Sequence, residues 1–433
     1  MRRSSSLAAA ALPCCFDLAV KVPLFATLLL ATPMRATEPT ATAANAINAL
    51  GIDLLHSGDG PNANALLSPY SIQSALAMTY AGAEGETRAE MTKVLHYPKD
   101  DAETHGSFAG LRKALDEVVQ KSAKDAEQMT KRGVTNDPIT LTVANRLFGQ
   151  SGYDFREPFL ALVRDNYDAP FEPLDFVKNP LDATKHINVW VEDQTRQRIR
   201  DLIPNGALDR LTRLVLVNAI YLKAPWADEF SESATVPRPF HVMGGEPVDV
   251  PTMTGTRHVG YAKRGGFSIV TIPYRGLDIQ FLILLPDQVN GLAALEGKLT
   301  AGLLSECANL SGQEVILFLP KFRLEPPLMT LGKQLQALGM RTAFDQPRGS
   351  ANFDRMAPRR AGEYLYISKV FHKTFLRLDE KGTEAAAATA VAVRAARAFE
   401  RPIEVRIDHP FLFAIQHRPS GACLFLGHVT DPR

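Results

Sequence analysis

The sequence has almost no excess charge of either sign. Lysine and arginine total 48 and aspartate and glutamate total 47 among 433 residues, a formal net charge of +1. A chain so balanced lacks the strongly basic surface that binds nucleic acid or an anionic membrane. We therefore expect no nucleic-acid partner and no stable membrane association.

Cysteine is also scarce. Cys14 and Cys15 are adjacent near the N-terminus, Cys307 and Cys423 lie in the body of the chain, and no C-x-x-C occurs. This spacing gives no support to a zinc site or to thioredoxin-like redox chemistry, so we expect no metal ion and no cofactor. Cys423 lies in the apolar run Ala-Cys-Leu-Phe-Leu and is interpreted as a buried thiol, while a Cys307–Cys423 disulfide stays open as an alternative.

The common catalytic motifs are missing as well. The sequence contains no G-x-S-x-G, H-E-x-x-H, P-loop or G-x-G-x-x-G. A serine hydrolase of the α/β type would need the nucleophile elbow that the first of these motifs forms. The sequence therefore predicts that the chain is not an enzyme, and we nominate no catalytic residue.

Residues 1–36 are typical of a targeting segment. Arg2 and Arg3 supply a positive start, residues 23–31 form a short apolar run, and residues 34–36 could hold a cleavage site. The run is too short to span a bilayer comfortably. We interpret it as a secretory signal, which predicts a secreted protein (periplasmic if the source is bacterial). An organellar transit peptide or a membrane anchor is the alternative.

The body of the chain mixes helical and strand patterns without an internal repeat or a linker. Ser68-Pro69 predicts a helix start, because serine caps helices and proline suits their first turn. We predict one α+β domain over residues 41–433. Helices are predicted at 41–56, 69–80, 108–132, 156–166 and 181–198, and strands at 139–148, 213–222, 268–273, 279–285, 315–319 and within 403–430.

Residues 380–401, EKGTEAAAATAVAVRAARAFER, do not fit this pattern. Alanine propensity favours a surface helix. A period of two gives another interpretation, because it groups Thr383, Ala385, Ala387, Thr389 and Val391 on one face and leaves the charged Glu384 on the other. Small or β-branched residues on one face suit a loop that can enter a sheet as a strand.

The segment resembles the hinge of inhibitory serpins. That hinge would comprise Gly382, Thr383, Glu384, Ala385, Ala386, Ala387, Ala388 and Thr389. The resemblance extends over about 370 residues and includes NALLSPYSIQSALAM at 64–78, LVNAIYLKAPW at 216–226, LPK at 319–321, HKTFLRLDE at 372–380 and DHPFLFAIQHRPSGACLFLGHVTDP at 408–432. It departs from the family at Ala224, where glycine is usual.

The resemblance implies a fold and a mechanism. The fold would have three β-sheets, about nine helices and an exposed reactive-centre loop at 380–401. A target serine protease would cleave that loop, be trapped as an acyl-enzyme, and be carried along as residues 382–396 insert into the central sheet. Fifteen residues span about 50 Å as a strand. At about 0.5–1.5 kcal/mol per ladder hydrogen bond, with side-chain burial added, insertion would release on the order of 10 kcal/mol.

The same resemblance implies a reactive bond. Counting sixteen residues from Glu380 places it between Ala396 as P1 and Arg397 as P1′, which suits an elastase-like target. Arg397, Arg394 and Phe399 stay open as alternative P1 residues, and an arginine P1 would suit trypsin- or subtilisin-like enzymes.

Two further clusters carry over by resemblance. Ser68, Ser71, Asn218 and His372 match the family's shutter beneath the sheet, or alternatively an ordinary buried hydrogen-bond network. Trp226, Lys321 and Glu380 match the breach, where the loop first enters. An exposed Lys321–Glu380 pair would otherwise be of small worth.

The sequence therefore predicts a monomeric suicide-substrate inhibitor of serine endopeptidases. The alternatives are a non-inhibitory serpin, such as a carrier or chaperone, and a cross-class inhibitor of cysteine proteases. Non-inhibitory members usually carry bulky, charged or proline residues in the hinge, and this hinge has small ones.

Overall fold

The computed structural model describes residues 40–58, 60, 62–134, 136–360, 362–384 and 403–433. Residues 37–433 form one compact unit. Within the described ranges the chain forms nine α-helices and three sheets, so the predicted α+β fold class is confirmed. None of the described helices is long and apolar enough to cross a membrane.

The helices lie mainly in the first half of the chain and follow local signals. Ser68 caps α2 by accepting a hydrogen bond from Ser71 N, and Asp100 caps α4 in the same way. The helices are α1 Ala41–His56, α2 Pro69–Ala81, α3 Gly85–Val94, α4 Asp101–Lys131, α5 Glu157–Tyr167, α6 Pro180–Gln194, α7 Leu292–Glu296, α8 Ala301–Cys307 and α9 Gly332–Ala337, with 3₁₀ turns at Glu232–Ala234 and Thr342–Phe344.

Seventeen strands complete the described fold. They are β1 Ala65–Leu67, β2 Thr140–Gln150, β3 Phe171–Leu174, β4 Leu214–Pro225, β5 Val236–Phe240, β6 Val248–Arg264, β7 Phe267–Pro273, β8 Ile279–Pro286, β9 Gly312–Pro320, β10 Phe322–Leu324, β11 Met329–Thr330, β12 Phe371–His372, β13 Leu376–Asp379, β14 Gly382–Thr383, β15 Ile403–Arg406, β16 Phe411–His417 and β17 Ala422–Val429.

Two of the sheets are large. One runs in the order β1-β17-β16-β8-β7-β6-β9-β15, with β5 also paired to β6. The other, here called the central sheet, runs β10-β13-β14-β4-β2-β3. Strands β11 and β12 form a separate pair. The element that leads into residues 385–402 is therefore an inner strand of the central sheet, and β15, which follows them, is an edge strand of the other.

Helix α2 lies between the two large sheets. It contacts β4 of the central sheet and β17 of the other, and it buries every residue except Ala75. On the opposite face of the central sheet, α6 covers β2 and β4 with a second apolar cluster that includes Phe148, Ile187 and Val217. Each face of β4 is thus buried, which explains its nearly continuous apolar sequence.

The ends of two predicted helices differ from the structure. Helix α4 begins at Asp101 and not at 108, because its first turn is mostly polar and hides the apolar period. Helix α6 ends at Gln194 and not at 198, because Arg196 and Gln197 adopt left-handed backbone angles. The segment after α6 is consequently free to contact the central sheet through its side chains.

Candidate functional site

The first two hinge residues already form a strand of the central sheet. Strand β14 pairs antiparallel with β13 on one side and with β4 on the other, with Gly382 opposite Pro225 and Thr383 opposite Ala224. Gly382 has φ 140°, and a Cβ there would collide with the carbonyl oxygen of Ala224. Glycine is therefore required for the hinge to enter between the two strands.

Thr383 is held from the core side by two stacked aromatic rings. It is 1% exposed, and its hydroxyl lies 2.6 Å from the Tyr274 hydroxyl. The Tyr274 ring stacks on Trp226 at 4.5 Å between centroids and 6° between planes. Trp226 also donates from Nε1 to Asp379 O and from its backbone N to Lys381 O. Trp226 thus supports the chain that leads into the hinge.

Lys321 and Glu380 form the ion pair that the sequence predicted for the breach. Lys321 Nζ lies 2.8 Å from Glu380 Oε2, and Thr235 donates to Glu380 Oε1 at 2.8 Å. Glu380 is only 6% exposed, so this is not an exposed surface pair. Burial would raise the pKa of Glu380, but the hydrogen bonds from Lys321 and Thr235 outweigh it and lower the pKa.

Three of the four predicted shutter residues meet at the start of α2. Ser68 donates from Oγ to Leu424 O at 2.7 Å and accepts from Ser71 N, and its own backbone N donates to His372 Nε2 at 3.1 Å. The imidazole must therefore be unprotonated at Nε2. Complete burial lowers the pKa of His372 to about 4, which keeps that acceptor available at neutral pH.

Asn218, the fourth predicted shutter residue, pairs with a residue of the neighbouring strand. It lies opposite Asn145 in the β2–β4 register, its Nδ2 donates to Asn145 Oδ1, and Asn145 Nδ2 donates to Tyr167 O. The buried Asn218 Oδ1 has no hydrogen-bond partner among the described residues. It is an available acceptor on the face of β4 that looks toward α2.

A cleft of about 210 Å³ opens beside β4. It is bordered by residues 214–218 of β4 on one side and 364–372 on the other, and α2 contributes its floor. Ser71, Asn218 and His372 all line it. On this edge, β4 pairs with β14 at Ala224 and Pro225. Residues 214–223 of β4 have no strand partner on the same edge among the described residues.

Glu384 directly follows β14 and does not belong to the strand. Its φ is 53°, a left-handed conformation that is unusual for glutamate. Its side chain is 3% exposed and Oε1 lies 2.8 Å from Arg198 Nε. It follows Thr383 onto the opposite face, as the period of two predicts, but α6 and the segment after it cover that face, so the carboxylate is shielded from water.

Sequence analysis missed four residues that contact the predicted site: Asn145, Arg198, Thr235 and Tyr274. Asn145 carries the one available signal, because asparagine is depleted in strands and therefore indicates a specific polar contact when it lies within one. Nothing local distinguishes the other three, since they reach the site only through tertiary packing.

Several predicted residues lie outside the described residues. These are Ala385 to Thr389 of the hinge, the predicted reactive bond Ala396–Arg397, and the alternative P1 residues Arg394 and Phe399. Cys307 and Cys423, by contrast, are both described as buried free thiols, so the alternative of a disulfide is wrong in this structure.

The fold and the site define a class of α+β protein. In this class the central sheet holds the start of the segment 380–401, Gly382 and Thr383, as an inner strand. The chain belongs to the serpin family: the family model "Serpin (serine protease inhibitor)" matches residues 45–432. A leukocyte elastase inhibitor of Bos taurus is 38% identical over 400 residues, covering 90% of this chain and 99% of the relative.

Solved structures agree with this assignment. Cleaved serpin 42Da superimposes with a TM-score of 0.75 at 30% identity, covering 91% of this chain and all of that one. Uncleaved ovalbumin gives a TM-score of 0.73 at 28% identity, covering 90% of this chain and 99% of that one. The chain is thus similar in fold to a cleaved and to an uncleaved member.

Proposed function

We propose that the protein is a suicide-substrate inhibitor of serine endopeptidases. In this mechanism a protease cleaves within residues 380–401, and residues 382–396 then insert beside β4 while the acyl-enzyme persists. One observation carries the proposal: Gly382 and Thr383 are already paired between β13 and β4, next to a cleft along the part of β4 that has no strand partner on this edge among the described residues.

The observed register indicates how insertion would continue. Extending the antiparallel pairs Gly382–Pro225 and Thr383–Ala224 residue by residue sets 384–393 against 223–214. Thr389 would then lie opposite Asn218, on the face that looks toward α2. A threonine hydroxyl there can donate to Asn218 Oδ1, the buried acceptor that lacks a partner.

The same register accounts for the small residues of the hinge. Positions that share a face with Thr383 would pack against α2 and the cleft floor, where Ser71, Ile72 and Ala75 leave limited depth. Ala385 and Ala387 fall on that face. Large side chains there would collide with the helix, and each collision would cost part of the driving force of on the order of 10 kcal/mol.

The class of the target protease is inferred from the predicted reactive bond. An alanine at P1, Ala396, suits proteases with small pockets, and the relative from Bos taurus carries the name leukocyte elastase inhibitor. We therefore propose an elastase-like target. An arginine P1 at 397 would shift the target to trypsin- or subtilisin-like enzymes.

The experiment is to incubate the protein separately with elastase, trypsin, subtilisin, chymotrypsin and, for the cysteine class, papain. Inhibition by trapping predicts SDS-stable one-to-one complexes with at least one serine protease, and intact mass locates the cut. A C-terminal fragment beginning at Arg397 supports Ala396 as P1, and one beginning at Ala398 moves P1 to Arg397. Cleavage of the loop by every enzyme without any complex would refute inhibition and favour a carrier or chaperone.

Secretion and a monomeric state remain part of the proposal. Residues 1–36 have the positive start and apolar run of a secretory signal. N-terminal sequencing of protein recovered from culture medium tests export, and a mature chain that starts near residue 37 is the expected result. Light scattering with a mass of one chain tests the monomer.

A further inference from the structure

The segment between α6 and β4 lies against the central sheet beside the end of β14. We name residues 195–201 the strap. The Arg196 guanidinium lies 5.4 Å from the ring centre of Tyr221 on β4, and that of Arg198 lies 5.2 Å from the ring centre of Phe375, just before β13. The strap thus contacts β4 on one side of β14 and, on the other side, the residue that precedes β13.

The strap is anchored at both of its ends. Gln197 N donates to Glu192 O of α6 at 2.7 Å, and Lys373 Nζ donates to Arg200 O at 2.7 Å. Arg196, Gln197 and Asp201 adopt left-handed backbone angles, which are strained for residues other than glycine. A strained turn persists only where its surroundings hold it, so these contacts fix where Arg198 points.

Arg198 points at the hinge. Its Nε lies 2.8 Å from Oε1 of Glu384, whose side chain is 3% exposed while that of Arg198 is 48% exposed. Burial raises the pKa of Glu384, and the Arg198 guanidinium and the Tyr221 hydroxyl only partly oppose the rise. Arg377 and Arg323 also stabilise the charge of Glu384, but Arg198 is the cation described in ion-pair contact with it. Removing that contact from a shielded carboxylate is strongly unfavourable, so the docked position of Glu384 depends on Arg198.

We propose that Arg198 is a positioning residue that holds Glu384 at the entry of the central sheet and so primes insertion of the loop. This role of Arg198 rests on the proposed inhibitory function. It adds to that function a residue that controls how the hinge enters the central sheet. The strap already reaches from Tyr221 of β4 past Glu384 to Phe375, so its contacts need not break as the next residues enter. Arg198 therefore favours entry of the hinge and does not block it.

The test compares Arg198→Ala with Arg198→Ala/Glu384→Gln and with Arg200→Ala. Arg200 is the matched control, because among the described residues its side chain bonds to Gln197 O, within the strap, and not to the hinge. The first readout is hydrogen exchange at the Glu384 amide, which donates to Arg377 O at 3.2 Å. The second readout is the stoichiometry of inhibition against whichever protease the wild type traps.

Loss of the counter-charge should undock the hinge. In Arg198→Ala we expect exchange at Glu384 to accelerate at least about tenfold and the stoichiometry of inhibition to rise at least about threefold, because slower entry lets the acyl-enzyme hydrolyse. The double variant should return toward wild type, since a neutral amide needs no cation. Arg200→Ala should match wild type in both readouts.

Two results would overturn the inference: Arg198→Ala behaving like Arg200→Ala, or a defect that Glu384→Gln does not relieve. The exchange measurement needs no protease. A wild type that traps no enzyme therefore refutes the proposed function alone and leaves the role of Arg198 to be decided by exchange.

Discussion

Replacing Thr383 with arginine should convert the inhibitor into a substrate. Thr383 is 1% exposed between β13 and β4, and its hydroxyl meets Tyr274 beneath it. An arginine there must either bury an unpaired charge, at a cost of about 3–5 kcal/mol, or leave the sheet. At 1.4 kcal/mol per factor of ten, the docked hinge would be disfavoured by a factor on the order of 100 to 4,000.

The assay is the stoichiometry of inhibition together with the yield of SDS-stable complex. For Thr383→Arg we expect cleaved protein without complex, because deacylation overtakes insertion. Thr383→Ser keeps the hydroxyl that meets Tyr274 and serves as the control with near wild-type complex yield. If Thr383→Arg forms complexes in the same yield as the control, entry of the loop at β14 cannot be the step that traps the protease.

Three other predictions follow from burial. Burial lowers the pKa of His105, His372 and His417 to about 4, below the value near 6.5 of the unfolded chain. The unfolded chain then binds more protons between these values, so the free energy of unfolding should fall as pH drops from 6.5 to 4; equal urea midpoints at pH 7.5 and 5 would contradict this. Burial also raises the pKa of Cys307 and Cys423 to about 12, so iodoacetamide should label both, by peptide mapping, only after denaturation. Lys321→Ala removes the hydrogen-bonded cation of Glu380 but leaves its bond from Thr235, so it should lower the urea-unfolding free energy by about 1–3 kcal/mol, whereas Lys321→Arg should not.

The local patterns predicted the two longest strands of the central sheet, β2 and β4, and the helix α2 that forms its floor. Ser68-Pro69 marked the start of α2, and the apolar runs marked β2 and β4 within one to three residues. These signals work because capping and burial act on residues that are neighbours in sequence. The ends of two helices were predicted wrongly. Helix α4 starts seven residues before the predicted start, after its Asp100 cap, and α6 ends before the predicted end, where the strap begins.

For the site, too, local patterns predicted some features, and others depend on tertiary packing. A period of two set Thr383 and Glu384 on opposite faces, and the structure agrees at these two positions. The pattern could not show that the outer face is covered, because the covering residue, Arg198, lies 186 residues earlier in the chain. Tyr274 was missed for the same reason, since only tertiary packing brings it to Thr383.

The most direct test of insertion is the thermal stability of the protein before and after one cut between residues 385 and 402. A gain on the order of 10 kcal/mol, set against an unfolding entropy of about 0.8 kcal/mol/K for some 390 residues, predicts that the melting temperature rises by about 10 °C or more. A nicked protein that melts at the same or a lower temperature would contradict the account, because the cut loop would then have added no strand to the sheet.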